Sequence, residues 1–88
     1  MRLEWDERKR LGNLSKHGLD FRRAIELFEG VSFTYASARR DEDRWVTVGI
    51  AYGRLVAVVW TRRSDAIRLI SMRSARREEA RQYRQLFG

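Results

Sequence analysis

The spacing of apolar and polar positions changes period as the 88-residue chain proceeds, and each period predicts an element. Arg2-Leu3-Glu4-Trp5 alternates polar and apolar, as a short half-buried strand does. Asp6 is then placed to cap a first helix running to about Lys16, with Leu11 and Leu14 three apart on its buried side. Gly18 suits the left-handed residue that ends such a helix. Asp20 opens a second helix, in which Phe21, Ala24, Ile25 and Phe28 hold the spacing of one helical face, and Gly30 closes it. From Val31 the period falls to two: Val31, Phe33 and Tyr35 alternate with Ser32 and Thr34. A charged loop, Arg39-Arg40-Asp41-Glu42-Asp43, follows. Trp45–Tyr52 and Leu55–Thr61 then flank Gly53-Arg54, the pattern of a β-hairpin. Leu55–Trp60 is apolar on both faces, which predicts a central strand covered by helices. Arg62-Arg63-Ser64-Asp65 makes another turn, and Ile67–Met72 a last strand. Ser74 is placed to cap a terminal helix, with Glu78 and Glu79 near its positive end and Ala80, Tyr83 and Phe87 as its apolar stripe.

The predicted order is β-α-α-β-β-β-β-α. Strands joined by short turns pair antiparallel, so the expected class is α+β, with helices packed on a curved antiparallel sheet. The length predicts one domain over residues 1–88 with a small core, and 43% hydrophobic residues are enough to build it. Without cysteine there is no disulfide, no thiolate nucleophile and no Cys-based zinc site, and a single histidine excludes a multi-His metal site. No cofactor or metal is expected. No apolar run is long enough to span a bilayer, and MRLEWDERKR is too charged for a signal peptide, so the expectation is a soluble cytoplasmic protein.

Charge narrows the function. The net charge is +7, and all but Lys9 and Lys16 of the nineteen cations are arginine, the side chain that grips phosphate bidentately. Residues 61–88 alone carry eight cations against three acids, which points to nucleic acid or an acidic protein as partner. Nucleotide cradles of the G-x-x-x-x-G-K and G-x-G-x-x-G kinds are absent. The acids Asp41–Asp43 read as a solvated turn.

Arg62, Arg63, Arg68, Arg73, Arg76 and Arg77 fall on the last two strands, their turn and the start of the terminal helix. Arg68 faces away from Ile67 and Leu69, and Ile70 and Met72 are expected to share its face. Such a cluster binds a nucleic-acid backbone, or stabilises charge on a phosphorane-like transition state, or is a solvated surface. RNA cleaves itself once its 2′-hydroxyl is deprotonated and its phosphate neutralised, which needs a base, an acid and cations. Lys16 and His17 are candidates for the proton transfers, and equally for complementing the negative end of the first helix. Trp5 and Trp60 read as core, whereas Trp45 leaves core packing and base stacking both open.

Glu4-Trp5-Asp6, Lys9, Asn13 and Lys16-His17-Gly18 with Phe21 following resemble the N-terminal signature of BrnT toxins. Arg44, Gly49, Gly53-Arg54-Leu55, Ile67-Arg68-Leu69-Ile70-Ser71, Arg73, Ala75-Arg76-Arg77 and Tyr83 extend the resemblance over nearly the whole chain. It is loosest between Val31 and Arg44. The resemblance implies a RelE-like fold, with two N-terminal helices and one C-terminal helix on an antiparallel sheet. It implies a metal-independent endoribonuclease that blocks translation, with a ribbon-helix-helix antitoxin as partner and DNA contacted only through the toxin–antitoxin complex. It carries over Lys16, His17, Arg68, Arg73 and Arg76 as catalytic residues; the charge of the C-terminal third, rather than the resemblance, puts Arg62, Arg63 and Arg77 on the RNA-binding surface. Two other classes fit the same arginines: a non-catalytic nucleic-acid-binding module, and an antitoxin-binding co-repressor.

Overall fold

A computed structural model describes residues 1–37 and 43–88. Along the chain run β1 (Arg2–Glu4), α1 (Glu7–His17), a 3₁₀ turn (Phe21–Arg23), α2 (Ile25–Glu29), β2 (Ser32–Ala36), β3 (Trp45–Ala51), β4 (Arg54–Arg63), β5 (Ala66–Ser74) and α3 (Arg77–Phe87). The class is α+β, as expected. The strands form one sheet in the order β1-β5-β4-β3-β2, with β4 at its centre. The sheet is mixed rather than wholly antiparallel: β1 pairs parallel to β5, because α1 and α2 intervene and the chain returns through three antiparallel steps. The predicted charged loop lies outside the described residues except for Asp43.

Local chemistry sets the element ends. The Asp6 carboxylate accepts from the backbone N–H groups of Arg8 (2.8 Å) and Lys9 (3.2 Å), and Gly18 ends α1 at φ 70°. The β3–β4 turn is Tyr52-Gly53, one residue earlier than expected, with both residues at positive φ. That is the type I′ geometry whose twist matches a hairpin. Ser74 ends β5 instead of capping α3. Arg76 holds the cap position, and the Glu79 side chain accepts its N–H at 2.8 Å.

Leu19, the 3₁₀ turn and α2 cover one face of the sheet. There Leu19, Phe21, Ala24 and Leu27 pack on Val56, Val58, Trp60, Leu69 and Met72. The predicted second helix opens as a 3₁₀ turn of three residues per turn, so Phe21, Ala24 and Leu27 align inward. Ile25 and Phe28, expected in the core, are only half-buried. Phe28 still meets Trp60 edge-on at 6.0 Å, and Trp45 stacks on Trp60 at 5.1 Å. Trp5 packs against the core and meets Phe21 edge-on, so all three tryptophans contribute to packing.

The buried side of α1 departs most from expectation. Leu11 is 53% exposed and Leu14 36%, while Asn13 is buried. β1 pairs with β5 only over Ala66–Arg68, leaving the β5 edge beyond it without a neighbouring strand. Asn13 fills that gap. Its amide donates to the Met72 carbonyl (2.8 Å) and accepts from the Met72 N–H (3.0 Å), as an edge peptide would, and it also donates to the Leu19 carbonyl (3.0 Å). This lays α1 along the sheet edge instead of flat on one face.

A bulge in β5 makes the second correction. Trp60 pairs with Leu69 and Val59 with Ser71, so Ile70 is the extra residue. The strand's alternation resets there. Leu69 and Met72 both enter the core beneath the 3₁₀ turn and α2, and Met72 therefore lies opposite Arg68 rather than beside it. On the second face Tyr83 of α3, with Ala75 just before the helix, packs on Val46, Val48 and Ala57.

Asn13→Ala leaves the Met72 N–H and two carbonyls without partners in a buried setting, and should cost about 3 kcal/mol in urea unfolding. Asn13→Asp has no N–H to give either carbonyl, and should be at least as destabilising at neutral pH.

Candidate active site

The end of the second face that α3 leaves open carries a groove of about 690 Å³. The last turn of α1 brings Lys16 and His17 to it, β5 brings Ile70, Ser71 and Arg73, β2 brings Tyr35, and the start of α3 brings Arg76. Two folding features assemble it. The Asn13 contact sets α1 at the sheet edge, so the helix end reaches the second face. The bulge at Ile70 keeps Ser71 and Arg73 on the groove side while Met72 turns to the core. A smaller pocket of about 430 Å³ adjoins it, lined by Lys9, Thr61, Arg62, Arg63 and Arg68, with Arg44 and Ile70 common to both.

Beneath the larger groove lies a buried charge network. Glu79, 5% exposed, takes the Arg73 guanidinium through both oxygens, at 2.8 and 3.0 Å. The same carboxylate accepts the Tyr35 hydroxyl and the Arg76 backbone N–H. Burial alone would raise the Glu79 pKa, but these four donors outweigh it and hold the carboxyl at about 2. The carboxylate in turn stabilises the Arg73 cation and moves its pKa up. Burial, reinforced by Glu79, pushes the Tyr35 phenol up as well. Arg73 therefore stands at the groove as an oriented donor whose charge is already matched.

The sequence-derived candidates separate into three sets. Lys16, His17, Arg73 and Arg76 converge on the larger groove, although more than fifty residues divide the two pairs. Arg62, Arg63 and Arg68 gather in the adjoining pocket. Arg77 lines neither and is exposed at the first turn of α3. Sequence reasoning missed Lys9, Tyr35, Arg44, Ser71 and Glu79 as site residues. Lys9 had a signal, since it lies seven residues before Lys16 and thus two turns along the same helix face. Glu79 had one too, sitting three residues after a helix cap. Tyr35 had none, because sheet pairing alone brings it there, and Arg44 and Ser71 were marked only through the family resemblance. Among the described residues, no three His, Cys, Asp or Glu side chains are grouped where they could hold a metal ion.

Asp20 is the other strongly shifted carboxyl. Its hydrogen bonds from Arg22, with a further one from Arg10, hold it at about 2 against burial. Both groups lie below their unfolded values of 3.8 and 4.5, so their stabilisation is complete above about pH 4.5 and is lost as pH falls towards 2. Thermal melts should show the midpoint falling through that window. Glu79→Gln should flatten the fall, and should lower stability at neutral pH by about 3 kcal/mol because Arg73 loses its counter-charge.

No curated protein matches the chain. A family model described as the ribonuclease toxin BrnT of type II toxin–antitoxin systems matches residues 5–79, a span that includes Asn13, the β5 bulge and Glu79 together with the whole groove. No helix among the described residues is long and apolar enough to cross a membrane. The chain belongs to the BrnT family, the ribonuclease toxins of type II toxin–antitoxin systems.

Proposed function

We propose that this toxin cleaves RNA in the larger groove without a metal ion. The observation that carries the reading is the convergence of Lys16 and His17 with Arg73 and Arg76 from the opposite end of the chain. His17 or Lys16 takes the proton of a ribose 2′-hydroxyl. The 2′-oxygen then bonds to the adjacent phosphorus, the bond from phosphorus to the 5′-oxygen breaks, and that oxygen receives a proton from the other group. Arg76 meets the charge that develops on the phosphoryl oxygens, and Arg68, which lines the adjoining pocket, holds the backbone beside it. Arg73, held by Glu79, donates hydrogen bonds from a fixed orientation. Arg62, Arg63 and Arg77 extend the basic surface along the RNA backbone.

Cleavage of this kind stops translation in the cytoplasm until an antitoxin covers or displaces the site. The proposed antitoxin is a ribbon-helix-helix protein, through which the complex reaches DNA. The basic balance of the chain favours an acidic segment as the covering element. A second reading, a groove that binds RNA without cleaving it, is favoured by one observation: the Arg73 charge is already spent on Glu79.

The test is RNA cleavage in EDTA by wild type, His17→Ala, Arg73→Ala and Arg73→Lys, purified identically. Cleavage by wild type is expected, with His17→Ala and Arg73→Ala down at least 100-fold. Arg73→Lys should recover little, because lysine lacks the planar fork. Equal cleavage by all four would place the activity elsewhere or in a contaminant. Salt-sensitive RNA binding with no cleavage by any would select the second reading.

A further inference from the structure

The smaller pocket has a different chemistry from the groove beside it. Five cations line it, Lys9, Arg44, Arg62, Arg63 and Arg68, with Asp43 as its one acid. Among the described residues, Lys9, Arg62 and Arg63 make no ion pair, and Arg68 reaches its only one, with Glu4, at 3.9 Å. The Thr61 hydroxyl is committed as a donor to the Asp43 carbonyl at 2.5 Å. The pocket contains neither histidine nor tyrosine, so it offers cationic grip with little means of moving protons.

It also lies in line with the groove. Arg44 and Ile70 line both recesses, so the two adjoin. Lys9 and Lys16 stand two turns apart on one face of α1, about 10 Å along the axis, and one enters each recess. Arg68 and Arg73 repeat the arrangement along β5. A helix and a strand thus carry parallel pairs of cations past both recesses, the geometry of a track for one strand of nucleic acid.

Building on the ribonuclease reading, we propose that the Lys9–Arg62–Arg63 pocket is a second phosphate subsite, which holds the RNA backbone beyond the bond cleaved in the adjoining groove. Its ligand class is the phosphodiester of single-stranded RNA. It supplies affinity and register, and takes no part in bond breaking. The toxin therefore discriminates by length, favouring strands that fill both recesses over a dinucleotide that fills one.

Binding to 2′-O-methyl RNA tests this apart from cleavage, because that backbone has no free 2′-hydroxyl. Anisotropy with a strand of about ten nucleotides and with a dinucleotide, from 50 to 200 mM salt, is compared for wild type, Lys9→Ala, Arg62→Ala and Asp43→Asn. Each cation variant should weaken the longer strand several-fold, reduce its salt slope by about 0.7, and leave the dinucleotide unchanged. Asp43→Asn should tighten the longer strand. On cleavable RNA the cation variants should raise KM and spare kcat. Unchanged slopes, or equal losses on both lengths, would overturn the subsite. So would a loss confined to antitoxin binding, which would give the pocket to the protein partner. Binding as expected with no cleavage of ordinary RNA would leave the subsite standing and overturn only the ribonuclease reading.

Discussion

The contact between Asn13 and the Met72 backbone organises the rest of the molecule. A sheet edge must satisfy its peptide groups or leave them to water, and β1 is too short to serve the whole of β5. One side-chain amide, with a donor and an acceptor in peptide-like geometry, completes the edge. The consequence is positional. A helix bonded to an edge shows residues to both faces of the sheet, so α1 borders the core at one flank and ends at the groove with Lys16 and His17.

The bulge in β5 is the second device of this kind. A regular strand would put Met72 in the basic groove and leave the core short of a large side chain. The extra residue at Ile70 resolves both conflicts, since Leu69 and Met72 enter the core while Ser71 and Arg73 stay outside. Bulges recur where a strand must re-aim side chains near a site. Here the re-aimed side chain then meets Glu79 from α3, which ties the strand, the start of the helix and Tyr35 of β2 to one carboxylate.

Glu79 also changes how the basic character of the chain is to be understood. A net charge of +7 suggests a uniformly attractive surface, yet Arg73, Arg10, Arg22 and Arg23 are each bound to carboxylates. Paired arginines brace the fold and orient donors. The cations without an ion pair among the described residues, including Lys9, Lys16, Arg62 and Arg63, supply the field at the open end of the sheet. Arginine serves in both roles, and which one it plays depends on what the tertiary structure places beside it.

The sequence by itself determined the class and the central strand, because each rests on local periodicity: two for β2 and β3, a capped run from Asp6 to Gly18, a double-sided apolar run in β4. It also picked out Lys16, His17 and the arginines of β5 and α3, through residue types whose chemistry suits phosphate and through the resemblance to the BrnT family. It misplaced what depends on partners distant in the chain. Leu11 and Leu14 have core spacing but no surface to meet, because the Asn13 bond rotates α1 to the edge. Met72 follows strand alternation until one inserted residue reverses it. Tyr35 joins the site only through sheet register, and nothing local marks it as functional; Glu79 carries a local mark in its place after a helix cap, but only helix packing brings it to Arg73. Periodicity records which face a residue prefers; which faces meet is decided by long-range hydrogen bonds and close packing, and the groove exists only once those are made.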